Sequence, residues 1–322
     1  LPPCWTRCPR REAALRPDGR RDRAGRTMRP LIPAEVRARL ARLQIASRLR
    51  PDGQGLGLHA GRGRGAGLEF AQYRAYGQGD EPRHIDWKLY ARSDRHFVRD
   101  ATRDTPLSVW LVIDCSASMA QADPERPDHA RIDAAKLLAA GIAERAVAQG
   151  DSVGLVTVGG AVTQGLPAAT GARHRDRLLL ALTALQADGR DGARAVPPLL
   201  SARIGPDALV VVIGDGLDGA LLDAGQQLAA ARRDVCVIRL LTVGEARFPF
   251  TGSPRFVDPE TGRARTLDAD AARARFLERF GADRQAQLRQ LATHGVRAVE
   301  QVLDEPADAA LQRLFGARGA SR

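Results

Sequence analysis

From Leu107 onward the chain alternates between two patterns. Short runs rich in β-branched and aliphatic residues fall at 107–113, 152–158, 208–214, 235–242 and 296–302. Between them, near 130–148, 173–187, 220–231 and 268–293, apolar residues recur at helical spacing. Strands separated by helices predict a mostly parallel sheet covered on both faces, because each parallel connection needs a crossover that buries one side. Val162–Leu166, after the Gly159-Gly160 turn, adds a short edge strand. The expected fold class is therefore α/β: a doubly wound, mostly parallel sheet preceded by an irregular and helical segment. Ligands of such sheets bind beyond the carboxyl ends of the strands, where the strand order reverses.

Two acidic residues end strands of this pattern. LVIDCSAS places Asp114 after the first strand, and LVVVIGDGLDG places Asp215 after the fourth, with the edge strand counted third. In a 3-2-1-4-5 order the first and fourth strands are neighbours, so both carboxylates face one crevice. Two acids there repel each other unless a cation or proton separates them. Ser116 and Ser118 direct hydroxyl oxygens to the same place, and hard oxygen donors of this kind suit Mg²⁺. Other readings stay open at this stage. Asp and Ser are preferred helix N-caps, so the loop could simply start a helix after a buried strand. A serine nucleophile would need a GxSxG elbow or a histidine partner, and neither is evident. Cys115 reads as a small buried residue.

Upstream, PAEVRARLARLQIASRL has Val36, Leu40, Leu43 and Leu49 at helical spacing and opens with a proline, which predicts a helix. GQGLGLHAGRGRGAG (53–67) reads as a flexible surface loop, since no GK[ST] ends it and no strand precedes it. Residues 1–27 carry eight Arg against three acids, roughly half of the net charge of +11. They read as a disordered basic extension upstream of a start at Met28, with a genuine basic arm as the alternative. Without a second CxxC pair, the four cysteines define neither a zinc site nor a disulfide framework, which favours a reducing, cytoplasmic compartment. No apolar run approaches the length of a membrane span.

Asp114-Cys115-Ser116-Ala117-Ser118 matches the DxSxS of the metal-ion-dependent adhesion site of the von Willebrand factor A fold. EFAQYRAYGQGDEPRHIDWKLYARSDRHFVRD (69–100) resembles the signature of the bacterial DUF58 family. The matching positions are Glu69, Phe70, Arg74, Tyr76, Gly79, Asp80, Arg83, Ile85, Asp86, Trp87, Ala91 and Arg92. FVDPETGRARTLD (256–268) is similar to the family's hairpin insertion after the fifth strand.

The resemblance implies a von Willebrand A-like domain over 106–316, a signature segment over 28–105 and a tail at 317–322. It implies no enzymatic activity, but an interaction protein acting with a MoxR-type AAA+ ATPase, or a client of it, in chaperone-like maturation or envelope-related assembly. Mg²⁺ would be held by Asp114, Ser116, Ser118 and Asp215, with a partner's acidic side chain completing its sphere. One departure stands out: relatives read G-T-D-L before the fourth strand, and QADGRDGARAVPPLL (186–200) has no Thr. Asp191 or a water could substitute there, and Asp218 could compete with Asp215.

In the signature segment, Arg74, Tyr76, Asp80, Arg83, Asp86, Trp87 and Arg92, with His84, Lys88 and Tyr90, read either as a charged network pinning the segment or as a partner surface. Two alternatives use other chemistry: a Mg²⁺-dependent hydrolase or phosphatase in the same crevice, and a nucleic-acid adaptor using the glycine/arginine loop and basic arm.

Overall fold

The computed structural model describes residues 6–7, 30–49, 60–64, 70–77, 85–104, 106–160, 165–188, 196–216 and 219–316. They form two units, one of residues 46–107 and one made of the flanking chain. To the second unit belong β1 (Thr6–Arg7) and α1 (Ala34–Leu40). The helix expected over 33–49 ends at Leu40, and the reason lies in a later helix. The chain beyond it turns out of the helix into an irregular stretch, with Leu43 and Ile45 buried. Arg145 Nε donates to the Leu43 carbonyl at 2.9 Å, and the Gln149 amide bonds both the Ile45 N–H and its carbonyl at 2.9 Å. Side chains from elsewhere in the fold thus satisfy backbone groups that a continuing helix would have satisfied itself.

Residues 46–107 carry β2 (Ala60–Arg64), β3 (Phe70–Ala75), α2 (Trp87–Ser93) and β4 (Phe97–Asp104). The strands form an antiparallel sheet in the order β2-β4-β3. The glycine-rich stretch expected to be wholly loop therefore contains a strand, β2. An antiparallel ladder is built from backbone groups, so glycines can enter it at an edge, here with a register shift between Ala60 and Arg64. Asp86 caps α2, accepting from the Lys88 and Leu89 amides.

The remaining strands are β5 (Ser108–Asp114), β6 (Ser152–Val158), β7 (Gly165–Ala169), β8 (Leu209–Gly214) and β9 (Asp234–Leu241), then β10 (Arg255–Val257), β11 (Ala264–Thr266) and β12 (Arg297–Val302). The helices are α3 (Arg131–Ala148), α4 (Ala172–Ala184), α5 (Val196–Arg203), α6 (Gly219–Ala230), α7 (Val243–Arg247), α8 (Ala269–Thr293) and α9 (Ala309–Phe315). Six strands form one sheet in the order β12-β9-β8-β5-β6-β7. Every pairing is parallel except the antiparallel β6–β7 edge. This is the expected α/β fold, and its fourth and first strands are neighbours.

The central strands are continuous apolar runs because both of their faces are covered: β8 and β9 are buried along their whole length. On one face α3 buries Ile132, Leu138 and Ile142 against β5, β6, β8 and β9. Pro197 and Pro198 sit in the first turn of α5, where a missing N–H costs no intrahelical bond. The β10–β11 hairpin is held at its base by Phe248, Phe250 and Phe256, which pack with Ala269 and, on α8, Phe276. Among the described residues no helix is long and apolar enough to cross a membrane.

Candidate metal centre

The crevice forms where β5 and β8 end. Ile113 pairs with Ile213, so Asp114 and Gly214 leave the sheet side by side, with Asp215 one residue further on. Asp114, Ser116, Ser118 and Asp215 are all buried. Asp114 Oδ1 accepts from the Ser116 amide at 2.9 Å, and the Ser116 and Ser118 hydroxyls lie 3.0 Å apart. After the single-turn 3₁₀ segment Ala117–Ala120 no α-helix follows until Arg131, so the loop is not the cap of a long helix.

Two further side chains reach this loop that the sequence gave no reason to place there. Glu260, at the tip of the β10–β11 hairpin, accepts from the Ser118 amide at 2.8 Å. Arg131, the fully buried first residue of α3, donates to the Ser118 carbonyl at 3.1 Å and to Asp215 Oδ2 at 3.4 Å. The same guanidinium pairs with Glu245. Glu245 also closes the capping box of α7, where its carboxylate accepts from the Thr242 amide and Thr242 Oγ1 accepts from the Glu245 amide. One bonded network thus joins Asp114, Ser116, Ser118, Glu260, Arg131, Asp215 and Glu245, and the charge of Arg239 reaches Asp215 as well. The hairpin contact spans 142 residues and the Arg131–Glu245 pair 114, so no local pattern could have announced either one.

The electrostatics follow the geometry. Burial pushes the Glu260 carboxyl above its ordinary range and the nearby Asp215 charge adds to this, while hydrogen bonds from Ser118 work against it. Burial, with the Asp114 charge beside it, pushes the Cys115 thiol up to about 12, so this cysteine is a protonated core residue and no nucleophile. The Ser116 and Ser118 hydroxyls are partnered with each other, and among the described residues no histidine hydrogen-bonds either one.

The donor set suits a hard divalent cation. Two carboxylates and two hydroxyls offer oxygen alone, and the backbone leaves room around the first of them. A Cβ on Gly214 would lie 3.1 Å from Asp114 Oδ2, and one on Gly159 would lie 2.9 Å from Oδ1. Both positions thus cradle the carboxylate closely, and Gly159 has φ +73°, which other residues rarely adopt. Among the described residues no three His, Cys, Asp or Glu are grouped to hold a metal by themselves, so the hydroxyls are needed to complete such a site.

Asp191 and Asp218 lie outside the described residues, as do Asp80, Arg83 and His84 of the signature segment. Within that segment Asp86 is the α2 cap, Arg74 lies on β3, and Trp87 and Arg92 lie exposed on α2. Trp87, Tyr90, His96 and Tyr76 form an aromatic group in which Tyr90 stacks on His96 at 4.4 Å. Trp87 is 58% exposed.

The family model described as "Protein of unknown function DUF58" matches residues 72–287. Uncharacterized protein Rv1480 of Mycobacterium tuberculosis is 30% identical over 231 residues, covering 70% of this chain and 71% of the relative. A Mycobacterium bovis relative, uncharacterized protein Mb1516, matches to the same extent. Among solved structures, the conserved hypothetical protein BatB from Bacteroides thetaiotaomicron is 18% identical with a TM-score of 0.41, covering 65% of this chain and 95% of that one. The SpRpn10 VWA domain is 13% identical with a TM-score of 0.37, covering 65% and 95%.

Proposed function

The chain belongs to the DUF58 family, and from that premise and the crevice we propose that it is a non-enzymatic interaction protein with a metal-ion-dependent adhesion-type site. One observation carries the reading: at the ends of neighbouring strands, Asp114, Ser116 and Ser118 converge in a single bonded network that also reaches Asp215. Those four residues would hold Mg²⁺, with Gly159 and Gly214 making room for the Asp114 carboxylate. The ion would supply a Lewis-acidic position for a carboxylate oxygen of the partner. The Thr expected before β8 is absent, and a water or Asp191 would take its place.

The Ser116 and Ser118 hydroxyls lie against each other, with no histidine bonded to either among the described residues, which favours the adhesion-type reading over a hydrolase. The partner favoured by the family resemblance is a MoxR-type AAA+ ATPase or its client, and exposed Trp87 with Arg92 in the signature unit offers a second contact surface for it. Cys115 and Cys236, both buried thiols, suit work in a reducing, cytoplasmic compartment.

Calorimetric titration of Mg²⁺ into the full chain tests the site, with Asp114→Ala as the control. Affinity capture from native cells in Mg²⁺ and in EDTA tests the docking. Saturable Mg²⁺ binding that Asp114→Ala abolishes, and partner capture lost in EDTA, are the expected results. Capture unchanged by EDTA would end the metal-dependent reading.

A further inference from the structure

The Asp258–Gly262 turn is built to aim a carboxylate. Asp258 accepts from the Glu260 amide at 3.0 Å and from the Thr261 hydroxyl at 2.6 Å, and its own amide donates to the Arg263 carbonyl at 2.8 Å. Gly262, at φ +68°, donates back to the Asp258 carbonyl at 2.8 Å. Pro259 limits the backbone between Asp258 and Glu260. With the base of the hairpin anchored in the Phe248, Phe250 and Phe256 cluster, the turn delivers Glu260 onto the Ser118 amide.

Structural need does not explain why an acid is used there. The amide carbonyl of a glutamine would accept the same hydrogen bond without bringing a further charge beside Asp114 and Asp215. An acid in that place is an expensive choice for packing and a natural one for a site that binds acids.

We propose that Glu260 is a tethered ligand: its carboxylate holds the position at the Ser118 amide that the acidic side chain of a partner takes, so docking requires the hairpin tip to withdraw. The proposal rests on the crevice being the docking site. It adds the chemistry of the external ligand, a Glu or Asp side chain presented on a turn, and the means by which the resting protein is kept from binding one. A tethered group competes at an effective concentration set by its short connection, so an external carboxylate binds more weakly by the fraction of time that the site is open.

The experiment uses the full chain, its Glu260→Ala and Glu260→Gln variants, and a synthetic peptide of the chain's own hairpin, residues 255–266, carrying either Glu or Gln at 260. Peptide binding is titrated in Mg²⁺ and in EDTA, Mg²⁺ is titrated alone, and hydrogen exchange is read at the Ser118 amide. The expected result is at least about a tenfold tighter grip on the Glu peptide by Glu260→Ala than by the wild type, with weaker binding of the Gln peptide, which keeps the hydrogen bond but lacks the charge. Faster Ser118 exchange in Glu260→Ala accompanies it. The Glu260→Gln variant shows whether any loss of fold comes from the missing contact or from the missing charge.

Equal peptide affinity for wild type and Glu260→Ala, or unchanged Ser118 exchange, overturns the tethered ligand while Mg²⁺ binding lost in Asp114→Ala leaves the docking site standing. Absence of Mg²⁺ binding in every chain, together with peptide binding that EDTA does not affect but Glu260→Ala tightens, overturns the metal and keeps the tether. No peptide binding to any chain overturns the tether.

Discussion

Two ionic networks sit toward the carboxyl ends of this sheet, one buried and one partly exposed, and they differ in composition. At β9, β12 and α8, one carboxylate meets two guanidiniums: Glu300 pairs with Arg284 and, at 3.3 Å, with Arg239, whose other nitrogen donates to Gln287 at 2.6 Å. At β5, β8 and the hairpin, Arg131 pairs with Asp215 and Glu245, while Asp114 and Glu260 accept from the backbone amides of Ser116 and Ser118. The first network ties a helix to an edge strand, and the charge of its Arg239 also reaches Asp215. The second joins acids from four separate segments around two hydroxyls, a composition that suits the Mg²⁺ site proposed above. The two differ in burial as well: Arg131, Asp215 and Glu245 are almost wholly enclosed, while Glu300 and Arg284 are only partly buried. Buried charges are costly wherever they are, and the proposed Mg²⁺ would offset the acids gathered at Asp114 and Asp215.

The sharpest way to break this comparison is Arg131→Ala. Removing a guanidinium with no solvent exposure leaves Glu245 and Asp215 facing each other without it, and breaking a buried pair of this kind costs about 3–5 kcal/mol in urea unfolding. A loss below about 1 kcal/mol would show that the acids of the crevice do not depend on it. Next in size is the response to metal. At about a hundredfold excess of Mg²⁺ over its dissociation constant the folded chain gains about 2.7 kcal/mol, read as a rise in the unfolding midpoint. Asp114→Ala removes that gain. Glu300→Gln leaves it whole, because its network supplies no ion ligand. A Mg²⁺ response lost in Glu300→Gln as well would erase the distinction between the two networks.

Much of the sheet was legible because its information is local. The runs at 107–113 and 208–214 are buried on both faces and read directly as β5 and β8, and the doubly wound 3-2-1-4-5 order supposed for such an alternation made them neighbours, as they are. That adjacency was enough to put Asp114 and Asp215 in one crevice. The hairpin was legible only through the family resemblance of 256–268, and its tip residue was not singled out, because nothing within the turn says what it faces. Arg131 stood at the first position of an expected helix, where a basic residue is usually a solvated one. Its burial is decided by Glu245, on a helix of five residues that no periodicity could reveal. The helix expected to continue past Leu40 fails for the same reason, since Arg145 and Gln149, about a hundred residues away, supply the hydrogen bonds that make an irregular stretch preferable.

The smaller effects lie in the partly exposed network, and they test whether it is purely structural. Glu300→Gln replaces the carboxylate that accepts from Arg284 and Arg239 by a neutral amide oxygen, removing the charge pairing, and costs about 2 kcal/mol at neutral pH. That cost should fade in acid. Burial alone would raise the Glu300 carboxyl, but the hydrogen bond and charge of Arg284, joined by Arg239, outweigh it and hold the group below its ordinary range. The unfolded chain therefore takes up this proton at a higher pH than the folded chain does. The stabilisation is complete above the ordinary glutamate value and is lost as the pH falls through the lower, folded value. Unfolding free energies of wild type and Glu300→Gln, measured in EDTA from neutral pH downward, should converge across that window. A gap that stays constant would mean that Glu300 contributes through the shape of its contacts, with no share from its charge.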